Sequence, residues 1–393
     1  MPYFGHMAGL EDCTVVYGVT VGISARWLLK GQLRWMAERC GSVMLVCAPG
    51  EETEEVGSRE GVEVVELPMR RNPSLIADVV SLWRWIRVIR RVKPDIINVS
   101  TPKAALLGGL AGWFWRVPRR IYVVRGLRLE GYSGWPRRLL AAAERVTMAV
   151  ATDVVFVSRS LAKVARDGGL IGRRRAWLVG NGSSNGVPAD ALAERIGRTD
   201  RTQTRRNWGV PADAFVVGFG GRLTVDKGID TLITAMGDPR LAKNVKLIVV
   251  GREEEPGIRS QLRGLSDRIV VLPEQADIAP FLGAIDVLCL PTRREGFPNV
   301  VLEAAAAGLP AITTRATGAV DSVIDGKTGW LINVGDAEAL VESINQAQAS
   351  PQLRRDMGEA ARQRVLADFR PERIWLGLLD IMEGRPSDDV AAV

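Results

Sequence analysis

Residues 291–332 read PTRREGFPNVVLEAAAAGLPAITTRATGAVDSVIDGKTGWLI, and the reading of this stretch decides the fold. An apolar run at 285–290 precedes it, so it starts where an expected buried strand ends. In an open α/β sheet the carboxyl ends of the strands are where ligands bind. Two carboxylates, Glu295 and Glu303, flank Gly296, Phe297, Pro298 and Asn299. Pro298 suits the first turn of a helix, where its missing N–H would have had no partner anyway. The next amides, near Asn299 and Val300, would then point unpaired donors and the positive end of a helix dipole above the strand. That arrangement is a phosphate site. Glu295 stands at its mouth, and Glu303, one turn into the helix, can accept hydrogen bonds from hydroxyls of the same ligand.

Outward from this stretch, apolar runs and helical patterns alternate. Strands are expected at 215–219, 246–250, 268–272, 286–290, 311–314 and 330–332, and earlier at 13–17, 42–47, 62–67, 95–99, 121–124, 154–157 and 176–179. Helices are expected between them, at 26–40, 75–92, 101–112 and 137–147 among others. Such alternation signifies parallel, doubly wound sheets. No strand pattern crosses 188–213, so the expected fold class is α/β, with two Rossmann-like doubly wound domains facing across a cleft. The expected division is 1–188, a connection at 189–213, a second domain at 214–370, and a closing helix from 371 that returns to the first domain. Residues 385–393 look frayed. At 393 residues the chain exceeds what one ordinary core supports.

Composition narrows the function. A hydrophobic share of 47% with 25% charged residues is that of a soluble globular protein. The longest apolar run, 104–115, has about 12 residues where a bilayer span takes about 20, and the start lacks a secretory pattern. A cytoplasmic location is expected, peripheral on the inner face of the membrane. The four cysteines form no C-x-x-C pair and read as buried thiols. A single histidine, His6, excludes a His-ligated metal cluster, and no D-x-D motif offers a metal–diphosphate site, so neither metal nor cofactor is expected. Basic residues outnumber acidic ones up to Arg195, and the balance reverses slightly beyond it. Only the first half should therefore meet an anionic partner. Tryptophan and arginine interleave there, in WRWIRVIRR (83–91), WFWR (113–116) and GWPRR (134–138), as in helices that lie on membrane surfaces. The same aromatics at helical spacing can equally be core. The acidic run EETEE (51–55) reads as a solvated helix face.

The second domain opens with GFGGRLTVDKG, which brings Gly221, Arg222 and Lys227 to the carboxyl end of its first strand. A forked guanidinium and an ammonium can neutralise a diphosphate without metal. The loop lacks the G-x-G-x-x-G spacing of a dinucleotide fingerprint. Taken alone it is ordinary solvated surface; paired with the Glu295–Glu303 stretch from the same sheet, it brackets a pocket.

GGRLTVDKG together with REGFPNVVLEAAAAGLP resembles the retaining nucleotide-sugar glycosyltransferases of family 4, which have the GT-B fold. The likeness continues through GAVDSVIDGKTGWLINVGD and covers most of the chain. LLKGQLRWMAERCG, STPKAALLGGLAG, IYVVRGLRLEGYSG and GNGSSNGV are similar to the branch that builds capsule, exopolysaccharide and O-antigen repeat units. The resemblance implies a transferase that moves a sugar from a nucleotide-diphosphate donor, a UDP-sugar above all, with retention onto a polyprenyl-diphosphate-linked acceptor. It implies that Arg222 and Lys227 hold the diphosphate, Glu295 the sugar hydroxyls, Gly296 to Asn299 the sugar-linked phosphate, and Glu303 the ribose. It further implies that Pro273 borders the base, that Gly18 and Gly22 face the phosphates, and that Ser24, Lys103 and Arg125 lie toward the acceptor. Arg125-Gly126 stands where many members have a histidine before the glycine. An arginine there offers charge and hydrogen bonds but no general base near neutral pH. Two other readings compete: an epimerase or hydrolase on the same fold, and a basic nucleic-acid-binding protein. Histidine poverty speaks against the first, and the second leaves Glu295 and Glu303 without a purpose.

Overall fold

The structure, a computed structural model, describes residues 9–70, 72, 74–264 and 268–393. His6 lies outside the described residues. The chain forms two compact units, one running to Asn185 and completed by Pro371–Val393, the other Gly186–Arg370.

In the first unit the strands are Thr14–Gly18 (β1), Ser42–Cys47 (β2), Glu63–Glu66 (β3), Ile96–Ser100 (β4), Arg119–Val124 (β5), Asp153–Phe156 (β6) and Arg175–Val179 (β7). The second unit supplies Phe215–Gly220 (β8), Val245–Val250 (β9), Ile269–Leu272 (β10), Val287–Leu290 (β11), Ala311–Thr314 (β12) and Gly329–Ile332 (β13). A last short strand, Val390–Ala392 (β14), returns to the first sheet. The sheet orders are β14-β7-β6-β5-β4-β1-β2-β3 and β10-β9-β8-β11-β12-β13, parallel throughout except for β14. Order reverses at β1 and at β8, so the carboxyl ends of β1/β4 and β8/β11 are the switch points of the two sheets. β1, β4, β8 and β11 are almost wholly buried, as expected of strands covered on both faces by helices.

The tail that looked frayed is instead β14, whose Val390 pairs with Val179 on the antiparallel edge. The 26–40 helix is two, Gly22–Leu28 and Gln32–Ala37, broken at Gly31, whose amide donates to the Glu60 carboxylate at 3.0 Å. The stretch read as a connection, 189–213, carries the helices Ala189–Gly197 and Arg201–Asn207, which belong to the second unit. Arg205 locks them in place: buried, it donates to the carbonyls of Ala284, Ala212 and Ala214 and to the Asp286 carboxylate at 2.8 Å. Among the described residues no helix is long and apolar enough to cross a membrane, and all four cysteines are buried thiols outside any disulfide.

One buried pair ties stability of the first unit to pH. Tyr122 on β5 donates to Glu144 on the helix Gly134–Val150 at 3.0 Å, and both are buried. Burial pushes the Glu144 carboxyl up to about 7, against a smaller opposing effect of the Tyr122 hydroxyl. The folded chain therefore keeps a proton that the unfolded chain loses above about pH 4.3, and stability falls as pH rises from there to about 7. Glu144→Gln should flatten this fall and raise stability at pH 8 by about 1–3 kcal/mol. Urea midpoints at pH 5 and pH 8 measure it; equal pH slopes for both proteins would refute the assignment.

Candidate active site

Two loops meet at the carboxyl edge of the second sheet. The loop after β8 carries Gly221, Arg222, a single tight turn at Val225–Lys227 and Gly228, then enters the helix Ile229–Met236. The loop after β11, residues 291–298, enters the helix Asn299–Ala306. Backbone pins join them: the Arg293 amide and the Thr292 hydroxyl both donate to the Asp226 carbonyl, at 2.8 and 3.0 Å. Gly228 adopts φ +73°, and a Cβ there would lie 1.8 Å from the Pro291 carbonyl oxygen. Gly318, at φ +75°, does the same service behind the loop, where a Cβ would lie 2.4 Å from the Gly296 oxygen. The Glu295 amide is held by the Thr317 carbonyl at 2.9 Å.

Lys227 and Glu295 form an ion pair across this junction, with both side chains mostly buried. The sequence places them 68 residues apart; the adjacency of β8 and β11 brings them together. Arg222 is half-exposed and pairs with Glu254 at 2.6 Å rather than with Glu295. Arg294 pairs with Asp226, and Arg293 with Asp230. Lys227, Arg222, Arg293 and Arg294 thus each rest on a carboxylate that a more strongly anionic ligand can replace.

Pro298 is the cap of the helix rather than a residue of its first turn, a displacement of one position. The electrostatic consequence is unchanged. Among the described residues no chain carbonyl accepts from the amides of Asn299 and Val300, whereas Val301 is already bonded to the Pro298 carbonyl at 3.1 Å. These two amides are the donors available to an anion. Asn299 and Glu303 sit four residues apart on one face of the helix. Phe297 is buried with its ring 5.5 Å from that of Phe369, so its backbone alone can face a ligand. Pro273 is exposed just after β10, two strands from β8 on the same edge. Sequence reasoning missed Glu254 and Glu255; the latter accepts from the Val225 amide at 3.2 Å. The signal was present in GREEEPG, an acidic run at the end of β9, beside β8.

Residues singled out in the first unit have varied surroundings. Gly18 lies against Trp85, where a Cβ would be 2.8 Å from the indole, and Gly22 lies against Thr53. Ser24 is half-buried in the helix Gly22–Leu28. Lys103 is committed to the Asp78 carboxylate and the Asn72 carbonyl, each at 2.6 Å. Arg125 follows β5 directly, donates to the Ser184 carbonyl, and is pushed down to about 10 by burial, so it keeps its charge near neutral pH. Thiol nucleophiles are not on offer: burial pushes Cys47 up to about 11 and Cys289 higher still. Among the described residues no three His, Cys, Asp or Glu side chains are grouped as metal ligands.

Two Rossmann-like parallel-sheet domains are the architecture of the GT-B glycosyltransferases. Residues 200–364 match the family model of glycosyl transferases group 1, and residues 25–182 match a glycosyl transferase 4-like domain. The chain belongs to the group 1 glycosyltransferases. It is 33% identical over 371 residues to the capsular polysaccharide biosynthesis glycosyltransferase CapM of Staphylococcus aureus, covering 93% of this chain and 96% of that one. It is 29% identical to the lipopolysaccharide core biosynthesis glycosyltransferase LpsE of Rhizobium meliloti, across 76% of this chain and 78% of the relative. Among solved structures, Anabaena HepE in complex with UDP and glucose superposes with a TM-score of 0.78 at 20% identity, covering 94% of this chain and 99% of that one.

Proposed function

We propose that this glycosyltransferase takes a UDP-sugar in its second unit and transfers the sugar, with retention, to a polyprenyl-diphosphate-linked glycan during assembly of a cell-surface polysaccharide. The observation that carries the reading is the Lys227–Glu295 pair beside the open amides of Asn299 and Val300. Charge grows on the leaving phosphate as the sugar departs, and fixed cations and amides aimed there lower the barrier. Lys227 and Arg222 would turn to the diphosphate, leaving Glu295 for the sugar hydroxyls and Glu303 for the ribose. Cations fixed by the fold supply the charge that a metal would otherwise supply. HepE with UDP and CapM in capsule synthesis support the choice of donor and pathway class. Front-face attack by the acceptor, without a protein nucleophile, accounts for retention.

The acceptor's lipid fits the face of the first unit. The helix Leu75–Val92 exposes Leu75, Ile76, Val79 and Trp83, and the adjoining helices expose Trp113 and Trp135. Arg87 stacks over Trp83 at 3.5 Å and Arg90 lies 5.9 Å from Trp115. Trp85 of the same run is fully buried, so the aromatic stripe divides between core and surface. An apolar face rimmed by arginine suits an anionic membrane surface, in keeping with a place on the inner face of the cell membrane. Radiolabelled UDP-sugars incubated with the protein and a bacterial lipid extract test the reading. Label passing into the organic phase, with the donor's anomeric configuration, is expected. Release of free sugar or an isomerised nucleotide without lipid label would overturn it.

A further inference from the structure

The Arg222–Glu254 pair leaves most of the arginine unspent. It is made through one guanidinium nitrogen, Nη1, to one carboxylate oxygen at 2.6 Å, and among the described residues neither Nε nor Nη2 of Arg222 has a hydrogen bond. Those two nitrogens form the edge of a guanidinium that takes two phosphate oxygens side by side. Arg222 can therefore bind a diphosphate without leaving Glu254. Exposure points the same way: the arginine side chain is 51% exposed and the glutamate side chain 25%, so the acid is the more covered partner and the cation the more open one.

The backbone fixes where the acid stands. Past the ends of β8 and β9 the two segments stay bonded: the Gly221 amide donates to the Val250 carbonyl at 3.0 Å, the Leu223 amide to the Arg252 carbonyl at 2.9 Å, and the Glu254 amide to the Leu223 carbonyl at 3.4 Å. A Cβ on Gly251 would lie 1.7 Å from the Gly221 oxygen, so the loops approach as closely as glycine permits. The flanking acids are committed to main chain, Glu253 to the Arg259 amide at 3.0 Å and Glu255 to the Val225 amide at 3.2 Å. A half-exposed ion pair contributes little to folding stability, so this one counts in ligand binding. A long arginine side chain loses rotamer freedom when a ligand fixes it, and one already held loses less.

We propose that Glu254 is a positioning residue of the donor site: it stays bonded to Nη1 of Arg222 while the donor is bound and holds the Nε–Nη2 edge of that arginine toward the diphosphate. The inference rests on the glycosyltransferase reading above, which gives Arg222 to the diphosphate and gives Glu254 no part.

Calorimetric titration of UDP into the full chain, run as a double-mutant cycle on Arg222→Met and Glu254→Gln, tests it. Glu254→Gln keeps the shape of the side chain, removes its charge and should weaken UDP binding about threefold to tenfold. Arg222→Met should weaken it at least as much. Adding Glu254→Gln to Arg222→Met should bring no further loss, because no guanidinium remains to be positioned; damage to the fold would weaken both backgrounds alike. Glu254→Asp, which keeps the charge but withdraws it by one methylene, should show the same dependence on Arg222 and decides the matter should Glu254→Gln not fold. UDP binding that is unchanged or tighter in Glu254→Gln, the mark of a carboxylate that only competes with the ligand, overturns the proposal. So does a loss that persists in the Arg222→Met background. If wild type binds UDP and Arg222→Met binds it equally well, Arg222 leaves the diphosphate and Glu254 leaves with it. If wild type binds no UDP, the nucleotide-sugar reading falls and this inference falls with it.

Discussion

Lys227→Ala lowers kcat/KM for sugar transfer by about 10²–10³-fold while the second unit stays folded. The expectation follows from position. Lys227 closes a tight turn after β8, is mostly buried, and reaches Glu295 at the mouth of the open helix. Its removal deletes a cation where negative charge develops and leaves the Glu295 carboxylate facing the departing phosphate. Both effects raise the barrier, together by about 3–4 kcal/mol. Lys227→Arg keeps the charge but changes its geometry and should recover only part of the rate. Initial rates with the accepted donor, beside a circular-dichroism melt, make the measurement. A variant that retains more than a third of wild-type kcat/KM would remove Lys227 from the mechanism.

Gly228→Ala is expected to unfold or badly distort the second unit. A left-handed residue with a side chain costs about 1–2 kcal/mol, but steric overlap costs more. The new methyl would fall 1.8 Å from the Pro291 oxygen and 2.5 Å from its carbonyl carbon, both backbone atoms at the end of β11. Such an overlap cannot be relieved by rotating a side chain, and moving the 291–298 loop shifts Glu295. A loss of about 3 kcal/mol or more is expected, near the upper range for overpacking. Thermal unfolding reports it, and a midpoint within 2–3 °C of wild type (roughly 1 kcal/mol for a domain of this size) would contradict the geometry.

Local chemistry explains what could be read in the sequence. The apolar run at 285–290 and the proline at 298 act over a few positions, and the strand and helix they imply are β11 and Asn299–Ala306. The two glutamates and the two cations could be brought to one edge because alternation of strand and helix implies a parallel sheet. What escaped depends on partners distant in sequence. β14 is three residues long and exists by pairing with β7, some two hundred residues earlier. Arg222 turned to Glu254 because β9 lies beside β8, an order that periodicity does not reveal. Residues 189–213 hold no strand, which made them look like a connection; their anchoring to Asp286 through Arg205 is a tertiary fact.

In the proposed reading the second unit holds a nucleotide diphosphate with Arg222, Lys227 and the first amides of Asn299–Ala306, and its ribose with Glu303. Titration of UDP into the protein in EDTA, followed by calorimetry, tests it most directly. One UDP per chain is expected, with the same affinity when magnesium replaces EDTA and at least tenfold weaker binding in Glu303→Ala, a loss of about 1.4 kcal/mol. No binding by the wild type, or full affinity in Glu303→Ala, would contradict it.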